Sequence, residues 1–348
     1  MSHHHAPVDF EKEASILRNH FNNAEIDLLL LIKKHVMYGA KNPTKWKFIQ
    51  QSRLIRFKRE LKAHISLFKD ETRNKIDKLT YRVYLDCVNE YEDEMEARYQ
   101  TKKEVDIQND DYLSESDALI QISEDMANYW QKIAPSKYKQ VVKETKDSNG
   151  VLKYAIATSL INVLGDGIRN VIDQSGRKYR PGAYMEMASR GAFFNVGLNA
   201  MKRVLGRYEH ELVQVSAHVR SCPRCAPWQG EVLSVNYESN EYKTLQEAEN
   251  DGLFHPNCHH FLYSYFEGDE TDEPIPPYDE EEYEAQSKQR YYERGIRDWK
   301  TKDILAEGPS KQYTASKVRQ WEEALQDHLN NNRFLERELD REIIKTSK

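Results

Sequence analysis

Apolar residues recur at intervals of three and four along much of this chain, a spacing that predicts helices. Residues 10–38 carry Ile26, Leu28, Leu29, Leu31 and Ile32. That face is too densely apolar for a lone solvated helix, so other parts of the chain must cover it. Gly39 and the Asn42-Pro43 pair end the pattern. A longer signal follows through Leu54, Phe57, Leu61, Ile65 and Phe68, then Ile76, Leu79, Val83, Cys87, Tyr91 and Met95. No Pro or Gly falls between Pro43 and Tyr99. A helix continuous from residue 52 would be roughly 70 Å long at 1.5 Å per residue; Asp70–Asn74 is the place for a break. Thr101 to Asp111 is a polar linker. Ser114 and Asp117 match a helix N-cap pair, opening a helix to about Ile133 that Pro135 ends. Asp147-Ser148-Asn149-Gly150 reads as a turn.

From 151 onward the rhythm changes. Tyr154 to Leu164 predicts a helix, Gly165-Asp166-Gly167 a break, and a short helix then reaches Ile172. Asp173 to Arg177 is a loop or tight hairpin, leading to a long helix from Met185 to Arg207. Gly191 and Gly197 within it each cost about 1 kcal/mol against Ala, which suggests close packing. Arg190 is the one cation on that small and apolar stretch, so it is expected to be buried and paired, with Asp166 or Glu186, in a structural role. Period-two segments follow at Leu212–Ala217, Gln229–Val235 and Phe261–Phe266, with a short helix at Leu245–Asn250. Three short strands make a small sheet, marginal by itself. Gly268 to Glu282 is an acidic, Pro-rich linker. A charged helix runs from Tyr283 to Lys302, Pro309 interrupts, and a last helix spans Tyr313 to about Arg341. No internal repeat is visible. The predicted fold is α+β and mostly α-helical: long N-terminal helices, a central helical domain carrying a small β-sheet and a Cys/His knot, and a C-terminal helical tail. The corresponding domains are 1–110, 111–150, 151–268 and 269–348.

With 348 residues the chain can bury two or three cores. Its 31% charged residues point to much exposed or partner-facing helix, and 14 Gly and 11 Pro against 21 Tyr argue against a loop-rich sandwich. The net charge of −6 provides no whole-molecule attraction to nucleic acid, so any DNA contact is local. Lys45, Lys47, Arg53, Arg56, Lys58, Arg59 and Lys62 cluster with Trp46, Phe48 and Phe57 among them. Such a stretch fits phosphates or an acidic partner. The plainer reading, a solvated face whose Lys and Arg stems cover apolar neighbours, is favoured. Four cysteines in all give no disulfide framework and suit a reducing cytoplasm. The apolar run Leu28–Ile32 is far too short to cross a membrane. Met1-Ser2-His3-His4-His5 lacks a signal-peptide shape, and its histidines are set aside as ligands.

The chemistry concentrates between Ser216 and Gly268. Cys222-Pro223-Arg224-Cys225 is followed by His255-Pro256-Asn257-Cys258-His259-His260. Two pairs of soft or borderline donors in turns match a structural zinc site with Cys222, Cys225, His255 and Cys258 as ligands. His218, His259 and His260 compete for the fourth place. The same cysteines also fit buried reduced thiols or a redox pair. No phosphate loop, zincin helix or nucleophile elbow occurs. An open hydrolytic metal site would cast His218 and Glu231 as ligand and base, a weaker reading, and Cys222 with His218 as a nucleophile pair is weaker still.

These residues carry a resemblance. Val215-Ser216-Ala217-His218, Cys225-Ala226-Pro227-Trp228-Gln229-Gly230 and Gly252 to His260 resemble the signature of the phage minor capsid protein 2 family, phage head-morphogenesis proteins encoded next to the portal. The likeness takes in Tyr184-Met185-Glu186-Met187 and Arg190 upstream and Gln289 to Arg294 downstream. It gives Arg190, Trp228 and Gly230 a structural part. The first half of the family motif need not carry both cysteines, so a metal is argued for this chain and not inherited. The resemblance implies a non-enzymatic minor capsid protein of a tailed phage, in few copies inside the head near the portal and in the host cytoplasm during assembly. Its partners would be portal and capsid proteins and packaged DNA, with no membrane, and its work head assembly, DNA packaging or delivery. The alternatives are a zinc-dependent hydrolase or nuclease at 216–260 and a DNA-binding module at 41–62.

Overall fold

Helix α1 spans Phe10–Val36, α2 Pro43–Tyr99, α3 Asp110–Glu144 and α4 Leu152–Leu164 in the computed structural model. Strands β1 (Val171–Ile172) and β2 (Lys178–Tyr179) precede α5 (Pro181–Tyr208). Then come β3 (Leu212–Val215), β4 (Val232–Ser234), β5 (Lys243–Thr244), α6 (Leu245–Asn250) and β6 (Leu262–Ser264), followed by α7 (Glu280–Leu305) and α8 (Pro309–Asn331). The structure describes residues 8–103, 105–145, 151–168, 171–172, 176, 178–235, 241–255, 258–269 and 275–344. The turn expected at 147–150, most of the loop at 173–177, Pro256, Asn257 and the three N-terminal histidines lie outside them. The expected α+β, mostly helical class with a small sheet is what is found. No described helix is long and apolar enough to cross a membrane.

The chain divides into two compact units built from non-contiguous stretches. The first comprises Met1–Leu17, Arg73–Gln121 and Met185–Tyr283. It holds the four-stranded sheet, ordered β5-β4-β3-β6. β3 pairs antiparallel with β4 and with β6, and β4 pairs in parallel with β5. Tyr91 on α2 donates its hydroxyl to the Leu262 carbonyl at 3.0 Å, and Ser264 donates to Glu94 at 2.8 Å. Arg98 forks onto Asp269 with contacts of 2.8 and 2.7 Å. α2 thus supports β6 along its length. Gly197 fulfils the packing expectation: a Cβ there would lie 2.8 Å from the Phe10 ring and 3.3 Å from the Cys87 sulfur. Gly191 does not, since a Cβ there would meet nothing within 4 Å.

The second unit comprises Arg18–Thr72, Ile122–Tyr184 and Glu284–Lys348. Its centre is aromatic. Phe68 meets Phe21 edge-on at 5.1 Å and lies 5.3 Å from Trp130. Phe57 stacks on Tyr138 at 5.1 Å. Trp46, fully buried, donates its indole N–H to the Val36 carbonyl at 2.9 Å, tying the start of α2 to the end of α1. α7 and α8 share a smaller core of Ala285, Ile296, Leu325, Leu329 and Leu335, with Tyr292 and Trp321 packed on it.

Several sequence expectations are corrected. α2 has no break at Asp70–Asn74: Thr72 is buried in the apolar stripe, and its hydroxyl donates to the Phe68 carbonyl at 2.6 Å. α3 does not stop before Pro135 but passes through it. The carbonyl that Pro135 leaves without a helical donor belongs to exposed Gln131, where water can serve it, while buried Trp130, Ala134, Tyr138 and Val141 continue the core face across the proline. The short helix expected to reach Ile172 gives way to a hairpin, Val171 opposite Tyr179 and Ile172 opposite Lys178. β5 was not foreseen, because two residues carry no periodicity. Pro309 starts α8 in place of interrupting it, in the first-turn position where its missing N–H costs nothing. α8 ends at Asn331, where the Asn332 side chain donates to the His328 carbonyl at 2.8 Å.

Candidate metal centre

The sheet register explains why two turns far apart in sequence meet. Val215, at the end of β3, stands opposite Leu262 at the start of β6. The first turn leaves the end of β3 and the second feeds the start of β6, so both lie at one end of the sheet. Two bonds lock that edge: Ser216 N–H to the Phe261 carbonyl at 2.9 Å, and Phe261 N–H to Ser216 Oγ at 3.0 Å. In the first turn the Cys222 carbonyl accepts from the N–H groups of Cys225 and Ala226, at 3.1 and 3.0 Å. A 3₁₀ turn at Ala226–Trp228 follows. Gly230, at φ 76°, then bends the chain back and donates its N–H to the Val215 carbonyl at 3.0 Å. That left-handed conformation suits glycine. In the second turn Cys258 N–H donates to the His255 carbonyl at 2.7 Å.

Cys222 Sγ lies 3.0 Å from His255 Nε2, Cys225 Sγ 3.6 Å from Cys258 Sγ, and Cys258 Sγ 3.3 Å from His260 Nδ1. The donor atoms form two overlapping triads, Cys222/Cys225/His255 and Cys225/Cys258/His260, each within 4.8 Å. All three thiols are free. Around a tetrahedral zinc, sulfur–sulfur edges are about 3.8 Å and sulfur–nitrogen edges about 3.5 Å, from bonds of about 2.3 and 2.0 Å. The donor types fit such an ion, and the measured edges within each triad are of that order; the two triads share only Cys225, and no four donors lie within 4.8 Å of one another among the described residues. The Cys225–Cys258 contact holds the Cys258 thiol well below its ordinary range and pushes Cys225 up, burial adding to the latter. Burial lowers His255.

The remaining candidates separate clearly. His218 Nδ1 lies 2.9 Å from the Val219 carbonyl, and its ring lies tilted against His260 at 4.2 Å. Burial, then the neighbouring His260, brings its pKa down to about 4. His259 turns away to Glu11 at 2.9 Å. Glu231, the base in the hydrolytic reading, lies 3.7 Å from Lys243 with its side chain 44% exposed. Arg190 is buried, 3.8 Å from Glu186 and 3.9 Å from Glu11, while Asp166 pairs with Lys302. Trp228 is buried beneath Lys243, whose ammonium sits 4.8 Å over the ring. Gln229 was not singled out as a site residue from sequence, yet its amide bridges the two halves of the knot.

The basic stretch lies on the first turns of α2. Lys45, Lys47, Arg56, Lys58, Arg59 and Lys62 are exposed, and Arg53 sits 4.1 Å over the Tyr38 ring. The aromatics do not interleave with them at the surface. Trp46 and Phe57 are core residues; Phe48, 81% exposed, shares the outer face with Ile55.

A family model described as Phage minor capsid protein 2 matches residues 6–330. A "Structural protein" of Lactococcus phage LL-H is 29% identical over 188 residues, 49% of this chain and 50% of that one. A "Structural protein" of Lactococcus phage mv4 is 38% identical over 96 residues, 25% of this chain and 77% of that one. The chain thus spans about half the length of the first of these relatives. No solved structure shows significant similarity.

Proposed function

The chain belongs to the phage minor capsid protein 2 family, and on that premise we propose a minor head component that works by binding, in few copies inside the capsid beside the portal. Its work there is to assist head assembly, DNA packaging or DNA delivery. The Cys/His knot is the rigid part, a structural zinc site using Cys222, Cys225, Cys258 and a histidine, His255 in the first instance. One observation carries this reading: the clustered donors are thiols and imidazoles, with no carboxylate among them. A closed set of this kind stabilises a fold, whereas a hydrolytic centre needs an open position and a base. When bound, the ion would add its binding free energy to folding of a sheet that is small on its own.

Elemental analysis of the full chain and of Cys222→Ser and Cys258→Ser variants tests the proposal. The expected result is one zinc per chain, lost in both variants, with Tm lower by on the order of 10 °C. A variant that stays fully folded while losing a hydrolytic activity would replace this reading with the zinc hydrolase. A second reading, DNA contact through α2, is favoured by one feature. From Pro43 to Arg59 the sequence has no Asp or Glu, while Lys45, Lys47, Arg56, Lys58 and Arg59 are exposed there.

A further inference from the structure

Gln229 follows the 3₁₀ turn and is 5% exposed. Its Oε1 lies 2.8 Å from the backbone nitrogen of His218. A main-chain N–H only donates, so the amide atom facing it is the oxygen. The amide nitrogen then points to the Pro276 carbonyl at 3.4 Å. The same Oε1 is 3.1 Å from His260 Nε2. An amide oxygen only accepts, so the ring proton of His260 sits on Nε2. In the neutral ring the lone pair is therefore on Nδ1, and Nδ1 is the atom 3.3 Å from Cys258 Sγ. His260 is 3% exposed and is held on both sides. His255 brings its own Nε2 to 3.0 Å from Cys222, in the other triad. Three sulfurs and two imidazole nitrogens thus form two triads joined at Cys225, five candidate donors where zinc takes four.

We propose that His260 is a metal ligand through Nδ1, that Gln229 is the positioning residue that fixes it in that tautomer, and that His260 and His255 can replace one another in the fourth place. This rests on the metal reading given above. A ligating imidazole characteristically donates its other N–H to an oxygen acceptor, and removal of that acceptor costs on the order of 10- to 100-fold in affinity. Gln229 supplies such an acceptor, itself held by a backbone donor on one side and a backbone acceptor on the other. His255 stands three residues before Cys258 and His260 two after, and the two rings meet different thiols, Cys222 and Cys258.

The test is Co(II) titration of the full chain, read by thiolate charge-transfer and ligand-field absorption, with Zn(II) competition for affinity. His255→Ala and His260→Ala should each keep one Co(II) with a tetrahedral spectrum, at about tenfold weaker affinity. The double variant should lose the tetrahedral spectrum. Gln229→Ala should weaken binding on the order of 10- to 100-fold in the His255→Ala background and leave it unchanged in the His260→Ala background. Should His260→Ala not fold, Gln229→Ala and Gln229→Leu in the His255→Ala background retain His260 and carry the test. Wild-type affinity and spectrum in His260→Ala, or an equal effect of Gln229→Ala in both backgrounds, overturns the proposal while leaving the metal site intact. A wild-type chain that takes neither Co(II) nor Zn(II) overturns the metal reading itself.

Discussion

His35 is fully buried on α1, with Nε2 3.0 Å from the Glu60 carboxylate and Nδ1 without a hydrogen-bond partner among the described residues. Such a ring is neutral, donating through Nε2. Burial lowers its pKa; Glu60 opposes this but does not prevail. A base depressed in the folded state binds its proton more readily when unfolded. Its contribution to stability is therefore complete above the ordinary value of about 6.5 and is lost as pH falls through that value towards the folded one. Urea midpoints from pH 8 to 5 should decline in the wild type and decline less in His35→Gln; parallel curves would exclude a neutral buried His35. The meeting of the cysteines was legible without the structure. The cysteine spacing pointed to the Cys/His cluster, which the fold does bring together. Which histidines stand beside the cysteines was not legible. Spacing is counted along the chain, while the placement of those rings follows from the β3–β6 register and from an amide whose partners come from residues 218, 260 and 276.

Between elements, small residues decide whether helices can approach. On α7 a Cβ at Gly295 would lie 2.2 Å from the Trp321 ring of α8. An added methyl there forces the ring or the helix to move, at about 1–3 kcal/mol. Gly→Ala in an unobstructed helix runs the other way by about 1 kcal/mol. Gly295→Ala should therefore lower Tm and Gly191→Ala raise it; the same sign at both positions would contradict the packing described. The contrast marks what periodicity conveys and what it omits. Helix positions followed from apolar recurrence, as for α1 and α2, because burial of one face imposes it. Ends were harder. Pro135 suggested a stop, yet the core face continued beyond it, and Pro309 suggested an interruption where it fits a first turn. A proline's effect depends on which carbonyl loses its donor, and that is a tertiary fact.

For the whole molecule, charge is divided unevenly along the sequence. No Lys or Arg occurs between Lys243 and Lys288, where Asp279 to Glu282 are consecutive acids, while α2 opens with cations alone. Charge reversal at exposed Lys45, Arg56 and Lys62 should deplete the chain from the portal vertex of purified particles imaged directly, if that face docks on an acidic portal surface. For a DNA-binding face, the wild type would instead show affinity falling with salt at a log–log slope of about 0.9 per phosphate contact, abolished by the same reversal. The two units were the least legible feature, since each draws on three separated stretches and no linker marks them. That interleaving has a consequence for biosynthesis. The first unit includes residues up to Tyr283, and the second takes Glu284 and beyond. At 5–20 residues per second, a ribosome needs on the order of 15–60 s to reach that point. For most of that interval, once residue 36 has cleared the exit tunnel, the apolar face of α1 is outside the ribosome without its later partners. Nascent chains should therefore depend on a holding chaperone until translation is nearly finished.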